Sequence, residues 1–453
     1  MLPTPIIYVN DIVYSHNPFA AVWFFWSTSS SFFIFGLTLI DCLFVNGRLL
    51  DPLLPELQDG VQVLVQDGLV REVSEHRIDA PNVRVIDLHG KTIMPGLIDL
   101  HVHVMASQLN LATLIHQPNV FVTLRAVPIL RGMLRRGFTS VRDAGGAGLA
   151  LKQAVESGLT QGPRLFVSGR ALSQTGGHGD MSPQGDATRN QLPCGCVRAG
   201  AISRVVDGVD NLRRAVREEF QMGADQIKIM ASGGVASPTD PIGAFGYSED
   251  EIRAVTDEAR GRGSYVMAHA YTSAAIERAV RCGVRTIEHG NLCDAATAAV
   301  MAAHQVIAVP TLVTYEALAS EGARYGLPPE SVAKIAEVKD AGLRALEILK
   351  KAGVRIGFGT DLLGESHRLQ SEEFRIRAQV LSIPEVIASA TTTAAEVLGQ
   401  QGKLGRLQAC AIADLLIVDG NPFTDLECLA GQGERIAVVM KAGRVEFGDL
   451  GAV

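Results

Sequence analysis

The chain predicts an α/β fold: a (β/α)8 TIM-type barrel with a small β-sandwich formed from both chain ends. Three observations predict it. Eight short apolar runs alternate with amphipathic stretches of helical length over about residues 92–400, the pattern of βα units around a parallel sheet. Strand-like runs closed by glycine turns recur at both ends of the chain. Side chains of metal-ligand type stand where several of the eight runs stop, which is where a barrel carries its chemistry.

Size and composition agree. At 453 residues the chain exceeds what one small core organises, so one large domain plus a smaller one is expected. Hydrophobic residues at 47% and charged residues at 20% belong to a globular protein and not to a disordered or polytopic one. With 48 acidic against 41 basic residues, a net charge of -7 and no long basic run, nucleic acid is excluded as the main partner. A small-molecule substrate is the expected partner, and a homo-oligomer is compatible with it. The seven cysteines are odd in number and thinly spread, which reads as reduced thiols in a cytoplasmic protein. Cys194-Gly195-Cys196 is one residue short of a CxxC pair and reads as an ordinary loop.

Residues 1–38 stand apart as a hydrophobic leader or extension. Both tryptophans, Trp23 and Trp26, lie there, and Asp11 is the one formal charge before residue 41. The apolar run 20–40 is broken by Ser27 to Ser31 and has no basic flank, so a signal or anchor is weakly supported and no membrane partner is expected. The runs 41–48 and 61–68 then read as strands with Asn-Gly and Asp-Gly turns, and 413–420 and 436–443 repeat that rhythm. Segments 39–91 and 401–449 are therefore expected to form one small antiparallel sheet domain, with 92–400 inserted as the barrel. The eight candidate barrel strands are 93–102, 139–143, 164–168, 226–230, 265–270, 286–289, 306–310 and 355–359. Between them, Ser248-Glu249-Asp250-Glu251 is a capping box opening a helix over 252–262, and Pro329 starts a long helix toward Ala352.

The strand ends carry a consistent set of residues. The first delivers His101-Val102-His103, the fourth Lys228, the fifth His269, the sixth His289 and the eighth Asp361. His101 and His103 are two apart, so both imidazoles project from one face of a strand and can chelate one ion. Neutral imidazoles with a carboxylate suit Zn²⁺ or a similar divalent ion, and the absence of nearby thiolates argues against a structural zinc knot. Lys228 reads as buried, because Ile227, Ile229 and Met230 frame it. Schiff-base chemistry by this lysine would leave four histidines without a role.

The run Pro95-Gly96-Leu97-Ile98-Asp99-Leu100-His101-Val102-His103, with Lys228, His269, His289 and Gly359-Thr360-Asp361, resembles the amidohydrolase superfamily in its binuclear metal branch. The resemblance covers nearly everything after about residue 40. It implies that His101, His103 and Asp361 hold the more buried of two divalent ions, that His269 and His289 hold the more exposed one, and that Lys228, as N6-carboxylysine, bridges both. It further implies hydrolysis of an amide bond by a metal-bridging hydroxide, with Asp361 as the catalytic base. Within the superfamily the chain is similar to the imidazolonepropionase-like and prolidase-like group, through Val167-Ser168-Gly169-Arg170, Thr175-Gly176-Gly177-His178-Gly179-Asp180 and His269-Ala270-Tyr271. That group implies a dipeptidase acting as a carboxypeptidase on Xaa-Pro or other Xaa-Xaa substrates. The strand-end loops carry little acidic charge beyond Asp361 and Asp180 or Asp240, so Xaa-Pro or Xaa-hydrophobic dipeptides and N-acyl amino acids are expected.

The terminal carboxylate of such a substrate would be fixed by His178 and Tyr271, with Arg142 and Arg170 as alternatives. Arg142-Asp143 also fits a structural ion pair at the barrel rim, and Tyr247 fits either a lid or the edge of a core. A cyclic or xenobiotic amide is the alternative substrate for the same metal centre. A non-catalytic scaffold would have lost ligands, whereas every expected position is filled.

Overall fold

The computed structural model describes residues 39–182, 198–237, 240–327 and 329–452. The hydrophobic stretch 1–38 and Cys194-Gly195-Cys196 lie outside them.

Period-two patterning in the terminal segments produces two facing sheets. Cys42 and Phe44, Val63 and Val65, Leu415 and Ile417, and Val438 and Met440 all enter one apolar cluster between the sheets. Their alternates turn away: Leu43 and Leu64 pack on the outer face, while Leu416 and Val439 enter the core that holds Leu97 and Phe138 of the barrel. One sheet runs in the order Leu69–Ser74, Gln62–Gln66, Cys42–Val45, Arg84–Asp87. The other runs Arg444–Phe447, Ile436–Lys441, Leu415–Val418, Thr92–Pro95, Arg48–Leu49, Gln58–Asp59. The two sheets make the expected sandwich, but each contains one parallel pair, so the domain is not purely antiparallel as expected. Asp67-Gly68 and Ala442-Gly443 have positive φ at both central positions, the tight hairpin turn that matches strand twist.

The apolar run 93–102 divides between the two layers. Thr92–Pro95 pairs with Leu415–Val418 in the sandwich, and Leu97–Val102 opens the barrel. Gly96 separates them where the backbone crosses Thr139, whose Oγ1 would lie 2.2 Å from any Cβ at that position. Leu97–Val102, Phe138–Asp143 and Arg164–Val167 pair in parallel, as do Ile227–Met230, Val266–Thr272, Thr286–Leu292 and Ile307–Val309. The two groups join where Val167 O accepts from Asp225 N at 2.7 Å. The cylinder closes through segment 355–359: Ala308 N donates to Arg355 O (3.0 Å), and Leu100 N donates to Phe358 O (2.8 Å). This last segment is extended chain with one bridge, Ala308 to Ile356, and is not a full strand.

Helices follow the strands. The capping box at Ser248 and Glu251 opens Glu249–Gly261, and Pro329–Lys351 forms the expected long helix. Cys42, Cys282, Cys293, Cys410 and Cys428 are free thiols. Among the described residues, no helix is long and apolar enough to cross a membrane.

Barrel closure depends on one buried guanidinium. Arg377 is fully buried and donates to Glu373 Oε1 (2.7 Å), Pro310 O (2.6 Å) and Gly357 O (3.0 Å), fastening the seventh strand to the closing segment. Removing it strands a buried carboxylate and two carbonyls. Arg377→Met is therefore expected to cost about 3–5 kcal/mol, measured as a fall in the denaturant midpoint of unfolding. A loss below about 1 kcal/mol would show that the pair does not hold the barrel closed.

Candidate metal centre

The barrel brings together all six residues singled out at the strand ends. His101, Lys228, His269 and His289 are buried within their strands, and His103 is buried just beyond the first. Asp361 follows the closing segment. Its Oδ1 lies 3.3 Å from His103 Nε2 and 3.5 Å from His101 Nε2, and its Oδ2 lies 4.0 Å from His289 Nδ1. The His269 ring stands 4.6 Å from that of His289, centroid to centroid, and the His289 ring 4.9 Å from that of His101. His289 and Asp361 both have positive φ, 73° and 53°, a left-handed backbone uncommon outside glycine. Such strain is concentrated at functional sites.

Each imidazole spends one ring nitrogen on the scaffold. His101 Nδ1 donates to Glu288 Oε2 (2.8 Å), His103 Nδ1 to Gly145 O (2.9 Å) and His269 Nε2 to Gly233 O (3.0 Å). His289 Nδ1 bonds the Thr311 hydroxyl at 2.7 Å. Because carboxylate and carbonyl oxygens only accept, the first three contacts fix which nitrogen donates, and in neutral His101 and His269 the opposite nitrogen keeps a lone pair. Burial holds His101, His269 and His289 well below the usual imidazole range, so they are neutral at physiological pH, the form that ligates metal. His103 moves the other way: burial opposes its charge, but the adjacent Asp361 carboxylate raises it. Burial would likewise raise Asp361, yet the adjacent His103 and the Lys228 ammonium bring it down.

These residues fit a divalent ion on two counts. His101 Nε2 is buried with no hydrogen-bond partner among the described residues. His101, His289 and Asp361 also present three donor atoms within 4.8 Å of one another, with no thiolate in the group, as a Zn²⁺ with ligands at about 2.0–2.2 Å needs. Lys228 is buried, 1% exposed. Burial lowers it to about 8.

At the mouth, His178 stacks on His269 with ring centroids 4.3 Å apart, and Tyr271 stands edge-on to His269 at 4.8 Å. His178 sits there because Gly234 carries no side chain; a Cβ would fall 2.1 Å from the ring. Tyr271 is buried, and its hydroxyl oxygen accepts from Tyr315 OH at 2.8 Å.

Three other expected substrate contacts lie elsewhere. Arg142 is fully buried inside the barrel, where it donates to Glu288 Oε1 (2.9 Å), Glu288 Oε2 (3.0 Å) and Leu100 O (2.7 Å), so none of its charge faces the mouth. Its ion-pair partner is Glu288 and not Asp143, whose carboxylate instead accepts from Val104, Gly145 and Ala147 N–H groups. Arg170 pairs with Glu219 at 2.8 Å and lines a cavity of about 510 Å³ that none of the six clustered residues lines. Tyr247 is a core residue whose hydroxyl donates to Val206 O at 3.1 Å, so it forms no lid.

Sequence reasoning missed Glu288, Thr311, Tyr315 and Ser237, whose Oγ bonds His178 Nδ1 at 2.7 Å. Glu288 had a signal, since a charge inside the apolar run 286–289 needs a buried partner, and Arg142 in the run 139–143 is the complementary one. The others lie on loops and a helix without a local pattern.

The amidohydrolase family model matches residues 92–445. The chain is 32% identical to ochratoxinase from Aspergillus niger over 365 residues, covering 78% of this chain and 75% of that protein. The crystal structure of an amidohydrolase aligns with a TM-score of 0.89 at 68% identity, covering 90% of this chain and 99% of its own. That of a prolidase complexed with N-methylphosphonate-L-proline aligns with a TM-score of 0.87 at 57% identity, covering 89% and 98%. By family model and by relatives spanning most of its length, the chain belongs to the amidohydrolase family.

Proposed function

We propose that this amidohydrolase is a metal-dependent dipeptidase that cleaves the amide bond of Xaa-Pro or Xaa-hydrophobic dipeptides and of N-acyl amino acids. The convergence of four imidazoles, Asp361 and a buried Lys228 at one end of the barrel carries the reading. The 57% identity to a prolidase that takes a proline phosphonate supports the substrate class.

In this reading His101, His103 and Asp361 would hold one divalent ion and His269 and His289 the other, with carboxylated Lys228 contributing to both. Two such ions, Zn²⁺ by donor type, supply Lewis acidity and a water acidic enough to be a nucleophile near neutral pH. Lys228 suits the bridging role because burial brings its amine within reach of neutrality. The neutral amine adds to CO₂ and releases one proton, giving an anionic carbamate where an ammonium would repel cations. Asp361, whose side chain is 21% exposed against 1% for His101, is the member open to the mouth. It accepts the proton from the attacking water and returns it to the departing nitrogen. Tyr271 and His178 bind the substrate's terminal carboxylate. Burial raises the Tyr271 phenol far above its usual range, and Tyr315 donates to its oxygen, which leaves the Tyr271 proton free for an acceptor. A second reading, hydrolysis of an aromatic xenobiotic amide at the same centre, draws on the 32% identity to ochratoxinase.

Elemental analysis of protein prepared without chelators should find about two divalent ions per chain; one or none would sink the binuclear centre. Asp361→Asn should retain most of the metal and lower kcat by at least about 10³-fold, since an amide ligates but cannot accept the proton. Activity within about tenfold of wild type would assign the base elsewhere. Protein equilibrated with ¹³C-bicarbonate should show a carbamate carbon resonance that disappears in Lys228→Ala; its persistence would remove Lys228 from that role. Tyr271→Phe should raise KM for a dipeptide more than for the corresponding dipeptide amide, whereas equal increases would separate Tyr271 from carboxylate binding.

A further inference from the structure

Lys334 lies on the helix Pro329–Lys351, which follows the seventh strand, and its ammonium is spent on a loop after the fourth strand. Its Nζ donates to Gly234 O (3.0 Å), Ser237 O (2.9 Å) and Asp240 O (2.6 Å), and stands 3.9 Å from Asp240 Oδ1. Three carbonyl dipoles aimed at one point repel one another, and the ammonium at their focus offsets that repulsion. An ammonium has three N–H donors, and all three are used. Within the loop, Asp240 accepts from Gly234 N at 2.8 Å and from the Ser237 hydroxyl.

The same loop reaches the candidate site twice. Gly233 O, one residue before the first clamped carbonyl, accepts from His269 Nε2 at 3.0 Å and so sets that ring's tautomer and aim. Ser237 Oγ bonds His178 Nδ1 at 2.7 Å. Because the single Ser237 proton goes to the Asp240 carboxylate, the serine oxygen accepts from His178 and the outward nitrogen of that ring is left for substrate.

We infer that Lys334 is a positioning residue for catalysis: by clamping the backbone at Gly234, Ser237 and Asp240 it fixes His269 toward the metal and His178 toward the substrate carboxylate. The inference rests on the metal-dependent reading given above. Without the ammonium, three part-buried carbonyls lose their donor and Asp240 loses its cation, so the loop relaxes and both imidazoles lose their fixed partners. Loss of the group that orients a metal-bound histidine typically weakens metal affinity by about 10–100-fold. The Ser237 hydroxyl bonds His178 and Asp240 but not His269, so its removal separates the two arms.

Protein dialysed against chelator is titrated with Zn²⁺ in competition with a chromophoric chelator, for wild type, Lys334→Met and Ser237→Ala, and KM for an Xaa-Pro dipeptide is measured on the zinc-loaded forms. Lys334→Met is expected to weaken one of two zinc-binding steps by about 10–100-fold, leave the other near wild type, and raise KM. Ser237→Ala is expected to raise KM while keeping both zinc steps. A merely structural role would lower stability without singling out one zinc step. Should Lys334→Met fail to fold, Lys334→Gln, which keeps two N–H donors, is expected to weaken the same step by less. Unchanged zinc steps in the folded Lys334 variant overturn the inference alone, including the case in which KM rises because Lys334 touches substrate. A wild-type chain that binds no zinc overturns the metal-dependent reading itself.

Discussion

The rest of the site hangs on a buried charge chain running up the inside of the barrel, from Arg142 on the second strand through Glu288 on the sixth to His101 on the first. All three groups are essentially sealed from solvent, so each must be paired inside the protein or carry a desolvation cost of several kcal/mol. Arg142 spends further donors on Leu100 O, Thr286 Oγ1 and Tyr265 OH, which ties the chain to the walls around it. The consequence at the top is directional. With Nδ1 committed to Glu288, His101 has Nε2 left, 3.5 Å from Asp361 Oδ1 in the group it forms with His289 and Asp361.

The same logic repeats around the ring. Gly145 O, Gly233 O and Thr311 each take one nitrogen of another histidine, so the imidazoles are aimed by the barrel before anything binds between them. His289 and Asp361 are held in left-handed backbone at a cost of about 1–3 kcal/mol each, which persists only because the surrounding strands over-determine them. Burial keeps three of the four imidazoles neutral and draws Lys228 toward neutrality, so one physical effect sets the charge of both kinds of group. Loops then add what the strands cannot. The turn clamped by Lys334 supports His178, and Tyr315 from the helix after the seventh strand supports Tyr271.

Much of this was legible in the sequence. Strands of a parallel barrel are buried on both faces and read as continuous apolar runs, so seven appear where expected and the eighth as extended chain. The histidines were legible because they interrupt those runs at their ends. Orientation was harder to read. Arg142 stands beside a strand end, but the alternation of side chains turns it into the barrel and toward Glu288, 146 residues away. Arg170 is claimed by Glu219 on the following helix, and Tyr247 by the core beneath the helix that starts at Glu249. Lys334 is 94 to 100 residues from the carbonyls it holds, and no local pattern connects them. Position along a strand could be inferred from local patterning; partners brought together only by closure of the cylinder could not.

The most direct test is anomalous diffraction at the zinc edge from crystals of the zinc-loaded enzyme. The account predicts two neighbouring peaks, one against His101, His103 and Asp361 and one against His269 and His289, with extra density on Lys228 reaching both. A single peak, zinc bound away from these side chains, or an unmodified Lys228 turned from the cluster would contradict it.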